Sequence, residues 1–189
     1  MLLAKSELEI KAKKQKALSL FIEKLLKTEA KGSIARIILF GSLLKGEAKE
    51  DSDIDLLIIA TDSIKEVSNA CADVSFEVGM ATGESVESLI RCVDEARYPQ
   101  SYFLYYNLKR EREVYSMDVE GLKRKEAQNY LKLASEYLDG SRANCQKGYF
   151  RIAVDAAYNA CELIVKGLLR LPDIPSSRGG LSTSLENYL

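Results

Sequence analysis

The stretch GSLLKGEAKEDSDIDLL, residues 41–57, decides how the first half of this chain is expected to fold. It lies between two apolar runs, residues 37–40 and 56–59, which are typical of buried strands. Asp53 and Asp55 stand at the entrance to the second run. Because a carboxylate is costly to bury without a partner, this placement indicates a cation that balances the two charges.

Composition excludes several classes of protein. The chain has 189 residues, is 47% apolar and carries a net charge of −1. This balance gives no support for a nucleic-acid surface held by bulk charge. The apolar runs are shorter than the roughly 18 residues that span a membrane. The N-terminus has only four uncharged residues before charged residues begin, which is too few for a signal peptide. We therefore expect a cytoplasmic protein without membrane contact.

Four cysteines and no histidine limit the available chemistry. The cysteines form no C-x-x-C pair, and no imidazole is present to complete a zinc site, so free thiols are expected. General acid–base work by histidine is also excluded. Any catalysis must come from carboxylates, lysine, arginine, tyrosine or a bound metal.

Apolar periodicity predicts an α+β domain over residues 1–116, with a small mixed sheet and flanking helices. Helices are expected at residues 3–30, 63–79 and 88–96, a further short element at 101–108, and strands at 35–40, 54–60, 80–86 and 113–115. Glu84 falls in the third of these strands, and Glu77 falls in the helix before it.

Residues 117–189 carry no strand pattern and predict an all-α domain. Two amphipathic helices are expected, at residues 120–138 and 150–169. A hairpin of two helices buries too little apolar surface to be stable alone. We therefore expect this hairpin to pack against the first domain or to form a homo-oligomer.

The spacing of the acidic residues favours a metal site. Asp53 and Asp55 are two apart at the start of a strand, so their side chains project from the same face. Two such carboxylates can share Mg²⁺, which takes oxygen ligands and is often completed by substrate phosphates. Asp51 has a simpler interpretation as a turn residue in a solvated loop.

Gly41 and Ser42 follow the preceding strand, where a helix can begin. Glycine allows the backbone to approach a triphosphate closely, and free amides at a helix N-terminus favour anions. If the two strands are neighbours, a phosphate-binding turn and a pair of metal-binding carboxylates face each other.

These residues resemble a known signature. Gly41-Ser42, ten residues, and then Asp53-Ile54-Asp55 is similar to the motif of the DNA polymerase β-type nucleotidyltransferase superfamily, and the wider stretch resembles its minimal prokaryotic branch. The resemblance implies a triphosphate held by Gly41 and Ser42 and Mg²⁺ held by Asp53 and Asp55. Lys45 stands where the branch usually has arginine, which keeps the charge but loses bidentate phosphate contacts.

The same resemblance implies a third carboxylate on the next core strand, which activates the attacking hydroxyl. Glu84 is the best candidate, and Glu77 is the alternative. Neither has the hydrophobic-Asp-hydrophobic surroundings that the superfamily usually shows.

The C-terminal half resembles the first two helices of a HEPN domain, through residues 130–131, 148–151 and 153–162. The chain ends where later helices of such a domain would begin, so an incomplete domain is expected. Ribonuclease members of that family use an arginine followed four to six residues later by a histidine. The absence of histidine therefore argues against ribonuclease activity.

Together the two resemblances imply a Mg²⁺-dependent nucleotidyltransferase that moves a nucleoside monophosphate from a nucleoside triphosphate to an acceptor hydroxyl, with AMP from ATP as the leading case. The acceptor would lie on a HEPN-type partner protein in a toxin–antitoxin-type system. The alternative is a catalytically inactive, nucleotide-binding module that dimerises through its C-terminal helices and acts as an antitoxin.

Overall fold

A computed structural model describes residues 2–109 and 112–170, with side chains from residue 8 onward. The chain divides into two compact units, Met1–Asp118 and Val119–Leu189, where the sequence placed the boundary between residues 116 and 117. The described residues form a four-stranded mixed sheet with helices, followed by a helical region. The predicted α+β class is confirmed. No helix in the described part of the chain combines the length and apolarity needed to cross a membrane.

The first unit contains the sheet. Its elements are α1 (Leu2–Leu25), a 3-10 helix (Glu29–Ser33), β1 (Ile34–Leu39), α2 (Gly41–Lys45), β2 (Ile54–Ala60), α3 (Ile64–Thr82), β3 (Val86–Cys92), α4 (Val93–Arg97), α5 (Tyr102–Lys109) and β4 (Arg112–Ser116). The strand order is β3-β2-β1-β4. β2 and β3 are parallel, and the other two pairs are antiparallel. The expected strand at residues 54–60 and the short edge strand near residue 114 are both present.

The structure corrects the third strand. The sequence predicted a helix ending at Gly79 and a strand over residues 80–86, but α3 continues to Thr82. Gly83 ends the helix in a left-handed conformation, and its amide donates to the carbonyl of Gly79 at 2.8 Å. The next strand is β3, over part of the segment 88–96 that was expected to be helical. Glu84 therefore lies in the turn before β3 and not within a strand.

Two helix ends also differ from the sequence prediction. α1 ends at Leu25, although the sequence predicted an end near residue 30. The hydroxyl of Thr28 donates to the carbonyl of Leu25, the last residue of the helix, at 2.7 Å. The first C-terminal helix was expected to stop at residue 138 but continues through Gly140. A single glycine costs only about 1 kcal/mol inside a helix, so it does not have to end one.

The main core lies between one face of the sheet and helices α1 and α3. It contains Ala17, Leu18, Phe21 and Leu25 from α1, alternate residues of β1 and β2, and Val67, Cys71, Val74 and Val78 from α3. Ile54 and Leu56 point into this core. Because side chains alternate along a strand, Asp55 between them projects from the opposite face.

The second unit is a helical hairpin of α6 (Val119–Gln146) and α7 (Phe150–Arg170). Gly148, with a φ of +78°, makes the three-residue turn between them, and a connection this short makes the helices antiparallel. The buried residues are small: Ala127 and Ala134 on α6 and Ala153, Ala160 and Gly167 on α7. The two helices therefore approach each other closely.

Candidate active site

Strand register brings the predicted site residues to one edge of the sheet. Leu39 at the end of β1 pairs with Leu56 near the start of β2. Ile54 at the start of β2 pairs with Val86 at the start of β3. The end of β1 and the starts of β2 and β3 are therefore adjacent. We call this the site edge, and it comprises residues 40–42, 53–55 and 86–87.

Gly41 and Asp55 are in direct contact at the site edge. A Cβ atom added at Gly41 would lie 2.7 Å from Asp55 Cγ and closer still to Oδ2. Gly41 also has a φ of +74°, a conformation that side chains disfavour. The amide of Ser42 donates a hydrogen bond to the Asp55 carboxylate, and the amide of Phe40 donates to the Asp55 carbonyl at 3.1 Å. Both the backbone and the carboxylate thus require glycine at this position.

The electrostatics of Asp55 favour a cation nearby. Burial raises the pKa of Asp55, and the negative charges of Glu87 and Asp53 raise it further. The hydrogen bond from the Ser42 amide acts in the opposite direction but does not cancel these effects. Asp55 is therefore close enough to two further carboxylates to be repelled by them, and a positive charge beside it would relieve that repulsion.

Glu87 is the residue that sequence reasoning missed. It pairs in register with Asp55 across the parallel strands β2 and β3, and residues directly opposite each other share a face of the sheet. Its side chain is exposed, while the preceding Val86 is buried. The segment VESLIRC does not alternate between apolar and polar residues, and residues from 88 onward were interpreted as a helix. Glu87 occupies the place, on the strand next to β2, that the superfamily resemblance implies for a third carboxylate.

The two glutamates proposed from the sequence have other partners. Glu84 is only 4% exposed, and its carboxylate contacts Lys14 Nζ at 2.6 Å and Lys13 Nζ at 2.9 Å. Burial alone would raise the pKa of Glu84, but the hydrogen bonds and charges of the two lysines outweigh it and lower the pKa. Glu77 lies on α3 and pairs with Lys24 at 2.6 Å. The structure does not bring either residue to Asp55.

Lys45 and Asp51 lie at the margins of the site. Lys45 is the last residue of α2, with an exposed side chain, about 6 Å along the helix axis from Gly41. Asp51 is exposed in the turn between Lys49 and Ser52. The amide of Ser52 closes this turn by donating to the Lys49 carbonyl at 3.2 Å. This is the turn role expected for Asp51, whereas Asp53 and Asp55 lie at the strand.

The donor set fits a hard divalent cation that arrives with a substrate. In the part of the chain that the structure describes, no three side chains of His, Cys, Asp or Glu are arranged to hold a metal by themselves. Mg²⁺ is usually bound by one or two carboxylates together with substrate phosphates, and it does not need a cage made wholly of protein. Asp53 and Asp55 beside the turn at Gly41 suit that mode of binding.

Comparison with known proteins places the sheet within a known family. The family model described as "Nucleotidyltransferase domain" matches residues 21–133. That segment contains the whole sheet and all three acidic residues of the site edge.

A protein of Methanocaldococcus jannaschii, named "Putative protein adenylyltransferase", is 36% identical over 74 residues. This match covers 39% of the chain and 73% of the relative. No solved structure matches the chain significantly. Proteins of the matched kind use a nucleoside triphosphate and a divalent metal. The chain belongs to the nucleotidyltransferase domain family, and its activity is that of a transferase.

Proposed function

We propose that this protein transfers AMP from ATP to an acceptor hydroxyl, with Mg²⁺ held by Asp53 and Asp55. The proposal rests on one observation: Asp55 is in contact with Gly41, and Glu87 pairs with Asp55 in register on the next strand. Metal-binding carboxylates, a turn open to phosphates and a third carboxylate thus share one edge. Mg²⁺ bound there would neutralise charge on the phosphates and on the carboxylates.

Each residue of the site has a role in this reaction. The missing side chain at Gly41 leaves room for the Asp55 carboxylate, and Ser42 orients the triphosphate from the first turn of α2. Lys45 contributes a positive charge near the phosphates. Glu87 accepts the proton of the acceptor hydroxyl as the acceptor oxygen bonds to the α-phosphorus. The bond between the α-phosphorus and the bridging oxygen breaks, and pyrophosphate leaves.

The acceptor is proposed to be a hydroxyl on a protein. The name of the Methanocaldococcus relative, a protein adenylyltransferase, supports this class of acceptor. The resemblance of the second unit to HEPN helices supports a HEPN-type partner, with a tyrosine hydroxyl as acceptor in a toxin–antitoxin-type system. Purified partner candidates with and without that tyrosine would test the assignment, because only those with it should be labelled.

The second unit is proposed to form a homo-oligomer. Large apolar side chains on α7 are exposed in the structure, namely Phe150, Ile152, Val154, Tyr158, Val165, Leu168 and Leu169. Burying such a surface is favourable by about 25 cal/mol per Å². Light scattering should give a dimer for the wild type and a monomer for Val154→Asp. A wild-type monomer at micromolar concentration would contradict this assignment.

Calorimetric titration of Mg-ATP tests the nucleotide site. The wild type should bind only when Mg²⁺ is present, and Asp53→Asn/Asp55→Asn should bind about tenfold more weakly or not at all. Asp51→Asn is the matched control, because it removes a carboxylate from the same loop without touching the site edge. Equal affinity in all three proteins would contradict the proposed site.

Pyrophosphate release separates the enzyme from the inactive module. A transferase should release pyrophosphate when Mg-ATP and acceptor are both present. A protein that binds Mg-ATP and releases none with any acceptor would be the antitoxin-like binding module.

A further inference from the structure

Lys14 is fully buried in α1 and uses all three of its N–H donors. Its Nζ atom donates to the Glu84 carboxylate at 2.6 Å, to the Ser52 carbonyl at 2.5 Å and to the Glu50 carbonyl at 3.3 Å. A lysine ammonium has three donors, so each one has an acceptor here. One charged group thus joins α1 to two other segments of the chain.

Those two segments lead directly into the site edge. The carbonyls of Glu50 and Ser52 belong to the turn that ends just before Asp53. Glu84 precedes β3 and lies three residues before Glu87. Between them, the amide of Ile54 donates to the carbonyl of Ser85 at 2.9 Å. Lys14 therefore bridges the segments that precede β2 and β3.

Stability alone is a weak reason for such a contact. Removing a lysine and a glutamate from water is costly, and apolar residues of similar volume in their place often give an equally stable protein. A second lysine of α1, Lys24, pairs with Glu77 of α3 at the same 2.6 Å separation, but this pair is partly exposed and involves neither segment. The buried pair differs from it by its connections to the site edge.

We propose that Lys14 is a positioning residue that keeps Asp53 and Glu87 at the separation that metal binding and proton transfer require. It acts through the Glu50 and Ser52 carbonyls on one side and through Glu84 on the other. This inference rests on the proposed function, because that function gives Asp53 and Glu87 their roles.

Lys14→Met tests the inference, since it removes the ammonium and keeps most of the apolar stem. Mn²⁺ binding in the presence of a non-hydrolysable ATP analogue would be measured by electron paramagnetic resonance. Affinity should fall about 10- to 100-fold, as is typical when groups that support metal ligands are lost. The Mg²⁺ concentration for half-maximal transfer should rise in parallel.

Lys24→Met is the matched control. It removes an ion pair of the same length between α1 and α3, so it should leave Mn²⁺ affinity unchanged. A folded Lys14→Met protein with wild-type Mn²⁺ affinity would overturn the proposal, even if its thermal stability were lower.

Glu84→Gln keeps the experiment decisive if Lys14→Met does not fold. The amide oxygen of glutamine still accepts a hydrogen bond from Lys14 but carries no charge, so Mn²⁺ affinity should fall in the same direction by a smaller factor. Unchanged affinity in this variant would equally overturn the proposal.

Measuring binding keeps the two proposals distinguishable. A wild type that binds Mn²⁺ and nucleotide but transfers nothing would refute the transferase proposal, and Lys14 would still be judged by Mn²⁺ affinity. A wild type that binds no Mn²⁺ would refute both proposals.

Discussion

The carboxylate of Asp55 occupies the space in which a side chain at position 41 would begin. Gly41 and Asp55 are 14 positions apart in the sequence, and the antiparallel pairing of β1 with β2 brings them into contact. The Ser42 amide then donates to the same carboxylate. The glycine-serine turn and the second aspartate of the motif thus form a single structural unit.

Gly41→Ala should damage both folding and nucleotide binding. A left-handed conformation costs a non-glycine residue about 1–2 kcal/mol, and forcing a methyl group into an occupied site adds about 1–3 kcal/mol. Gly46→Ala is the matched control, because Gly46 has a φ of +77° but open space around its Cβ position. Chemical denaturation should show a clearly larger loss for Gly41→Ala. Equal losses would mean that contact with Asp55 contributes nothing.

Asp55→Asn should stabilise the metal-free protein at neutral pH. Because the folded state raises the pKa of Asp55, ionising this residue opposes folding, and the penalty grows as pH rises from its ordinary value near 4. The melting temperature of the variant should therefore exceed that of the wild type at pH 7, and the two should converge at pH 3.

Saturating Mg-ATP should reverse that order at pH 7, since a ligand stabilises only the protein that binds it. Asp51→Asn should follow the wild type throughout. A wild type that is more stable than Asp55→Asn at pH 7 without metal would contradict the assigned electrostatics.

Glu87→Gln should abolish transfer while nucleotide binding survives. Loss of a general base typically costs about 10²- to 10⁴-fold in rate, and the glutamine keeps the size of the side chain. Single-turnover rates would measure the loss, and calorimetry should find ATP affinity within about threefold of the wild type. Glu66→Gln, at an exposed position of α3, is the control. A wild-type rate in Glu87→Gln would exclude Glu87 as the proton acceptor.

Gly167→Ala should destabilise the helical hairpin. A Cβ atom at Gly167 would lie 3.2 Å from Tyr130 Cβ and 3.3 Å from the Ala127 carbonyl oxygen on the facing helix. The overpacking costs about 1–3 kcal/mol and alanine regains about 0.5–1 kcal/mol of helix stability, so a net loss of up to about 2 kcal/mol is expected. Gly140→Ala, which meets nothing within 4 Å, should instead stabilise α6 by about 0.5–1 kcal/mol. Melting temperatures of the two variants that shift in opposite directions would support the close packing of α6 against α7 at Gly167. Similar shifts in both variants would contradict it.

The sequence was sufficient to predict a strand and the residues at its start where two independent signals agreed. The strand at residues 54–60 was predicted because an apolar run follows a turn, and the aspartates at its start carry the family motif. Gly41 was also predicted as a site residue, because it lies between a strand and the start of a helix. The contact that explains it, with the Asp55 carboxylate, depends on strand pairing and is not visible along the chain.

The third strand was mispredicted because Gly79 and Gly83 can both end a helix. The helix ends at Gly83, where the Thr82 hydroxyl and the Gly83 amide donate to the carbonyls of Val78 and Gly79. That error of one helical turn placed Glu84 in a strand and hid Glu87. The partners of Glu84, Lys13 and Lys14, come from a helix about 70 residues earlier, and no local pattern predicts such a contact.

Transfer of label from ATP tests the central proposal most directly. The protein would be incubated with Mg²⁺, candidate acceptor proteins and ATP labelled on either the α- or the γ-phosphate. We predict stable label on the acceptor from α-labelled ATP, none from γ-labelled ATP, and none from either in Asp53→Asn/Asp55→Asn. Label from γ-labelled ATP, undiminished labelling in the double variant, or no labelling of any acceptor would contradict nucleotidyl transfer at this site.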